Sequence, residues 1–139
     1  MRFCRSHLGA LFFPALLLIG VSAATFTTMP PVIEMRTYKI RPGKRQEVIE
    51  IFTSRSIPAH RQIGMKILGP FLSIEDPDTF FFMRGFPDLA SREPMKSQFY
   101  DGPLWKGELE QRVMPLIEKY ESVLVEDRVG LFGEWTRAD

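Results

Sequence analysis

The 139 residues hold one cysteine, Cys4, and two histidines, His7 and His60. Cys4 and His7 both fall in an N-terminal stretch that reads as a leader. Arg2 and Arg5 precede an apolar run from Leu8 to Val21, and the small residues Ser22, Ala23 and Ala24 follow it. A basic start, a short apolar core and small residues at a cut are the pattern of a secretory signal peptide, here residues 1–23, cleaved near Ala23-Ala24. Its loss leaves no thiol and one imidazole. That excludes cysteine nucleophiles, disulfides, Cys-rich zinc sites and zinc held by several histidines of one chain. No metal and no cofactor are expected. The apolar run is shorter than the about 20 residues that cross a membrane, so membrane attachment is expected only through an uncleaved leader. A mitochondrial presequence would be amphipathic and richer in Arg and Ser; the expected location is secreted or periplasmic.

A concentrated basic run is also missing. The formal charge is +1, and losing Arg2 and Arg5 takes it to −1. A near-neutral chain of this kind argues against nucleic acid as a partner. What is present suits one globular domain, at 45% hydrophobic and 25% charged residues. Residues 24–31 read as a flexible lead-in, 32–127 as the domain, and 128–139 as a tail without an assigned structure.

The pattern along the domain alternates between two periods. Val32 to Ile40 reads as a strand bounded by Pro31 and the Arg41-Pro42-Gly43 turn, with Glu34, Arg36 and Tyr38 on one face. Lys44 to Ile63 is helical in spacing, interrupted near Ile57 by Pro58 and closed by Gly64. Strands are expected at Lys66–Ile74 and Thr79–Phe86 around the turn Glu75-Asp76-Pro77-Asp78. Leu89–Phe99 and Leu104–Tyr120 read as helices, the second bent at Pro115, and Ser122–Val125 as a last strand. This β-α-β-β-α-β order predicts an α+β, ferredoxin-like fold, a four-stranded antiparallel sheet with its helices on one face. The strand from Thr79 to Phe86 is apolar on both sides, which predicts burial on both faces. Helices cover only one of them. A homodimer is therefore expected, sheet against sheet, forming an α+β barrel.

Four segments carry a resemblance: EMRTYKIRPGK (Glu34 to Lys44), IPAHRQIG (Ile57 to Gly64), FFMRGFPDL (Phe81 to Leu89) and FYDGPLW (Phe99 to Trp105). Through them Val32 to Glu126 resembles the NIPSNAP family of the dimeric α+β barrel superfamily. The resemblance implies the ferredoxin-like fold and association through the sheets. Animal members of that family look like mitochondrial interaction proteins, and superfamily relatives include cofactor-free monooxygenases and haem-handling enzymes. The leader here looks secretory, so a mitochondrial role is not carried over. Haem handling is not carried over either, because His60 is the sole histidine after the leader.

The candidate catalytic residues are Arg36, Tyr38 and His60; the candidate ligand-binding residues are Glu34, Arg84, Tyr100 and Trp105. Glu34, Arg36 and Tyr38 are either a pocket that fixes an anionic or carbonyl group or a buried ion pair setting strand register. His60 is either a base with a suitable pKa or a helix-end cap. Arg84, between Phe82 and Phe86, must find a partner, either Glu34 or an anion. Tyr100 and Trp105 flank Asp101-Gly102-Pro103 and either anchor that turn or wall a cavity. Two functions follow: a small-molecule-binding protein of the cofactor-free oxygenase kind, or a non-catalytic interaction module of the NIPSNAP type.

Overall fold

The computed structural model describes residues 29–133. The leader and most of the lead-in lie outside the described residues, as does the tail beyond Gly133. Strand β1 (Val32–Ile40) is followed by helix α1 (Arg45–Ile51), a π-helical turn (Phe52–Ser56) and helix α2 (Ile57–Gln62). Strands β2 (Lys66–Leu72) and β3 (Thr79–Phe86) come next, then helix α3 (Leu89–Tyr100). A second π-helical turn (Trp105–Leu109), a short helix α4 (Glu110–Val113) and a 3-10 turn (Met114–Leu116) lead into β4 (Ile117–Glu126). The four strands form one antiparallel sheet in the order β2-β3-β1-β4, the ferredoxin-like arrangement.

Local chemistry explains most boundaries. Gly43 and Gly64 adopt positive φ (75° and 87°), the first at the turn after β1 and the second just past α2. The Asp76 carboxylate accepts from Lys39 Nζ, Thr79 Oγ1 and the Asp78 N–H, while Arg45 Nη1 donates to the carbonyls of Ser73, Asp76 and Thr79. Those bonds fix the β2–β3 turn, and β2 ends at Leu72 rather than at Ile74 because Ser73 joins it. Asp88 caps α3 by accepting from the Ser91 N–H at 2.7 Å. The interruption expected at Ile57 is the π-helical turn at Phe52–Ser56, after which Pro58 sits in the first turn of α2, where its missing N–H costs nothing.

The last helix differs from expectation. It ends at Val113, a 3-10 turn holds Pro115, and Tyr120 is a strand residue paired with Tyr38. Leu116 and Tyr120 fit helical spacing, but Ile117–Glu126 pairs along all of β1, and that pairing outweighs a weak local preference.

Helices cover the side of the sheet that carries Val32, Phe80, Phe82 and Phe86, all buried, together with Ile40, Val48, Ile51 and Phe99 from the surrounding elements. On the other side Met35, Phe81, Val123 and Val125 stay exposed, with Phe81 40% accessible, so a single chain buries β3 on one face only. One end of that open side is covered by the start of the tail. The buried Asp127 carboxylate accepts from the N–H groups of Leu131 and Phe132, and Lys66 Nζ donates to the Phe132 carbonyl. Phe132 thereby lies on Gly85, where a Cβ would come within 2.7 Å of its ring. Ile33, the neighbour of Gly85 on β1, is buried there too.

Gly85→Ala should therefore push Phe132 off the sheet while leaving the helix-side core unchanged. Tryptic cleavage after Arg128 is the readout, expected to accelerate several-fold, as for a segment whose opening has become easier. An unchanged cleavage rate would show that Phe132 does not hold the tail.

Candidate functional site

Alternation along β1 turns Glu34, Arg36 and Tyr38 toward the helices. Antiparallel register places Arg84 opposite Glu34, Phe82 opposite Arg36 and Phe80 opposite Tyr38. On the other flank β4 supplies Tyr120 beside Tyr38 and Ser122 beside Arg36. The two sequence readings of these residues meet in one structure, because the buried ion pair is the floor of a cleft. The cleft measures about 440 Å³ and lies between the sheet, the two π-helical turns and α3. Glu34, Arg36, Tyr38, Arg84, Tyr100 and Trp105 all line it.

Glu34 is the centre of the floor. Its carboxylate, 1% exposed, receives Arg36 Nη1 at 2.5 Å, Arg84 Nη2 at 3.1 Å and Arg92 Nε at 3.0 Å. Burial alone would raise its pKa, but the three guanidinium groups, Arg84 foremost, hold it down at about 2. Arg36 donates through Nε and Nη2 to the Tyr38 hydroxyl at 3.0 and 2.7 Å. Its guanidinium also lies 5.0 Å from the Tyr120 ring centroid. Burial pushes the Tyr38 phenol up to about 12, against the pull of Arg36, so it is neutral and protonated at physiological pH. Arg84 Nη1 donates to the Tyr100 hydroxyl at 3.1 Å.

Aromatic rings form the walls. Phe80, Tyr38 and Tyr120 stack in a row with centroids 5.3 and 5.6 Å apart. Tyr100 meets Trp105 edge to face at 4.9 Å, and Phe99 lies behind both in the core. The FYDGPLW segment thus combines its two readings: Phe99 anchors the turn, whereas Tyr100 and Trp105 face the cleft.

His60 is placed elsewhere. Its ring is buried against Phe99 at a centroid distance of 3.9 Å, and Nδ1 donates to the Ser56 carbonyl at 2.7 Å. That bond leaves Nε2 as a buried acceptor without a partner among the described residues. Burial lowers its pKa to about 4, so the imidazole is neutral, and it does not line the cleft. Several cleft residues were missed in the sequence. Among them, Arg92 and Lys96 stand one turn apart on α3, and Tyr120 was read as part of a helix.

Acid should lower the stability of the protein over two pH intervals. Both buried groups have folded pKa values below their ordinary ones, so each contributes stability at neutral pH that is lost on acidification. The His60 contribution is lost between about pH 6.5 and 4, and that of Glu34 between about 4.5 and 2. Urea unfolding followed across pH should show both, and His60→Gln should flatten only the upper one. Glu34→Gln should cost about 3–5 kcal/mol at pH 7, because three guanidinium groups would then surround a neutral amide.

The family model described as NIPSNAP matches residues 33–126, from β1 to the end of β4. No curated protein matches the chain. Among solved structures, an uncharacterised NIPSNAP domain protein of Burkholderia xenovorans is 24% identical, with a TM-score of 0.61 over 68% of this chain and 91% of its own. A NIPSNAP family protein of Agrobacterium tumefaciens is 25% identical, with a TM-score of 0.62 over 68% and 90%. A proposed antibiotic biosynthesis monooxygenase of Nitrosomonas europaea shares the fold at 9% identity, with a TM-score of 0.56 over 73% and 93%. The matched span holds the entire sheet, the cluster on Glu34 and the turn between Tyr100 and Trp105, and the chain belongs to the NIPSNAP family.

Proposed function

We propose that the protein is an exported homodimer that binds a small molecule in the cleft between sheet and helices. The observation that carries this reading is the cleft itself, an apolar, ring-walled space of about 440 Å³ with convergent polar groups on its floor. Ligand sites have that volume and that composition. Export is supported by the Arg2-to-Ala24 leader pattern.

The floor is better suited to binding than to catalysis. Glu34 is far too weak a base with a pKa of about 2, Tyr38 keeps its proton at neutral pH, and His60 lies outside the cleft. Proton abstraction of the cofactor-free oxygenase kind needs a base poised near the working pH. The remaining carboxylate on the lining, Glu110, sits at the rim against Lys106.

The second copy is supported by the open sheet face. Met35, Phe81, Val123 and Val125 form an exposed apolar centre larger than scattered surface residues would give. Lys119 and Glu121 of β4 flank it, 69% exposed each and of opposite sign. They pair with each other at 3.1 Å within the chain, so this flank opposes no net charge to a second copy.

Native mass spectrometry of the purified protein is expected to show a bound compound that denaturation releases, and to show less of it in Trp105→Ala. A bare protein whose melting temperature no small molecule shifts would refute the binding reading. Sedimentation velocity at micromolar concentration should give a dimer, and Phe81→Glu a monomer with an unchanged circular dichroism spectrum. A wild-type monomer would refute the second copy.

A further inference from the structure

Two arginines and one glutamate are buried at the floor of the cleft. Arg84 is 0% exposed, Arg36 7% and Glu34 1%, so the buried charges leave one positive charge in surplus. Burying an unbalanced guanidinium is costly, and hydrogen bonds to neutral oxygens reduce that cost without cancelling the charge. Among the described residues the surplus is met by uncharged groups, the hydroxyls of Tyr38 for Arg36 and Tyr100 for Arg84 and the ring faces of Tyr120 and Phe86. Arg92 and Lys96 on α3 add positive charge to the same lining, countered in part by the exposed Glu93 that both of them touch. Glu110 at the rim is engaged by Lys106.

The two phenols carry a second message. The Tyr38 oxygen already accepts two N–H groups and the Tyr100 oxygen accepts one, yet neither O–H proton has an acceptor among the described residues. A hydroxyl whose lone pairs are occupied by a cation is a stronger donor, and hydrogen bonds to an ionised acceptor are the strong ones. Both tyrosines belong to the lining.

We infer that the ligand of this cleft is a monocarboxylate with an apolar body, held by the phenol protons of Tyr38 and Tyr100 above the Arg36–Arg84–Glu34 floor. The inference rests on the cleft being a ligand site. Its two parts come from separate features. One negative charge matches the buried surplus of one, and two carboxylate oxygens match two unspent protons. The apolar body matches Val48, Phe52, Phe80, Val113 and Ile117, which close the cleft away from the charges. Inorganic phosphate has no use for those walls.

The test compares 4-phenylbutyrate with its neutral isostere 4-phenylbutyramide, with inorganic phosphate, and with the uncharged dye N-phenyl-1-naphthylamine, all by titration of the purified protein. The acid is expected to bind at least about tenfold tighter than the amide and to displace the dye. Arg92→Ala, at a partly exposed helix position, should shrink the acid-to-amide ratio about fivefold. Dye binding that the acid and amide displace equally well would overturn the inference while leaving the ligand site standing. Phosphate competing as well as the acid would overturn the apolar body. If neither the dye nor either phenylbutyl compound binds below about 1 mM, both the site and the inference fail.

Discussion

The Glu34 carboxylate sits on a central strand, and guanidinium groups from β1, β3 and α3 close on it. One oxygen pair thereby ties two strands and a helix together at a single buried point. Each partner carries a further tether: Arg36 holds the Tyr38 hydroxyl, Arg84 holds the Tyr100 hydroxyl, and Arg92 reaches out to Glu93. The cluster therefore sets the position of the phenols that line the cleft as well as the register of the strands. A slip of one residue in β1 would turn Glu34 to the open face and leave Arg84 buried alone, which the fold could not sustain.

Around this fixed floor the helical layer is irregular. Both helical segments above the sheet contain a π-helical turn, and each turn contributes to the cleft, through Phe52 and Ser56 in one and Trp105 in the other. A π-turn adds one residue to a helical turn and swings its neighbours outward, which is why such turns recur at sites. Here they widen the space between helices and sheet that regular packing would fill. His60 records the cost on the far side, where a buried Nε2 has no partner among the described residues. It stays neutral in that place and acts as a flat core side chain against Phe99.

Much of this was legible in order and period. Alternation along VIEMRTYKI placed Glu34, Arg36 and Tyr38 on one face, and the arginine inside the TFFFMRGF strand demanded a partner or an aromatic face to stack on. The turn residues Asp76, Gly43 and Gly64 marked their boundaries because their chemistry is local. The last helix was misjudged because Leu116 and Tyr120 fit helical spacing, and only pairing with β1 overrode it. Arg92 and Lys96 gave no signal, since charged residues on a short helix usually face water. The tail was equally silent: Phe132 gains its place from a bare glycine on β3 and from Asp127, contacts that no spacing encodes.

The sequence alone determined the strand and helix order, the side of β1 that carries the polar groups, and the near absence of thiol and imidazole chemistry. These are matters of periodicity and inventory, and both are written along the chain. Tertiary structure alone decided that three arginines would share one carboxylate, that His60 would leave the site, and that a cleft would open rather than a packed core. Those outcomes depend on which residues meet across the sheet and how far the helices stand above it, distances that arise only once the chain has folded.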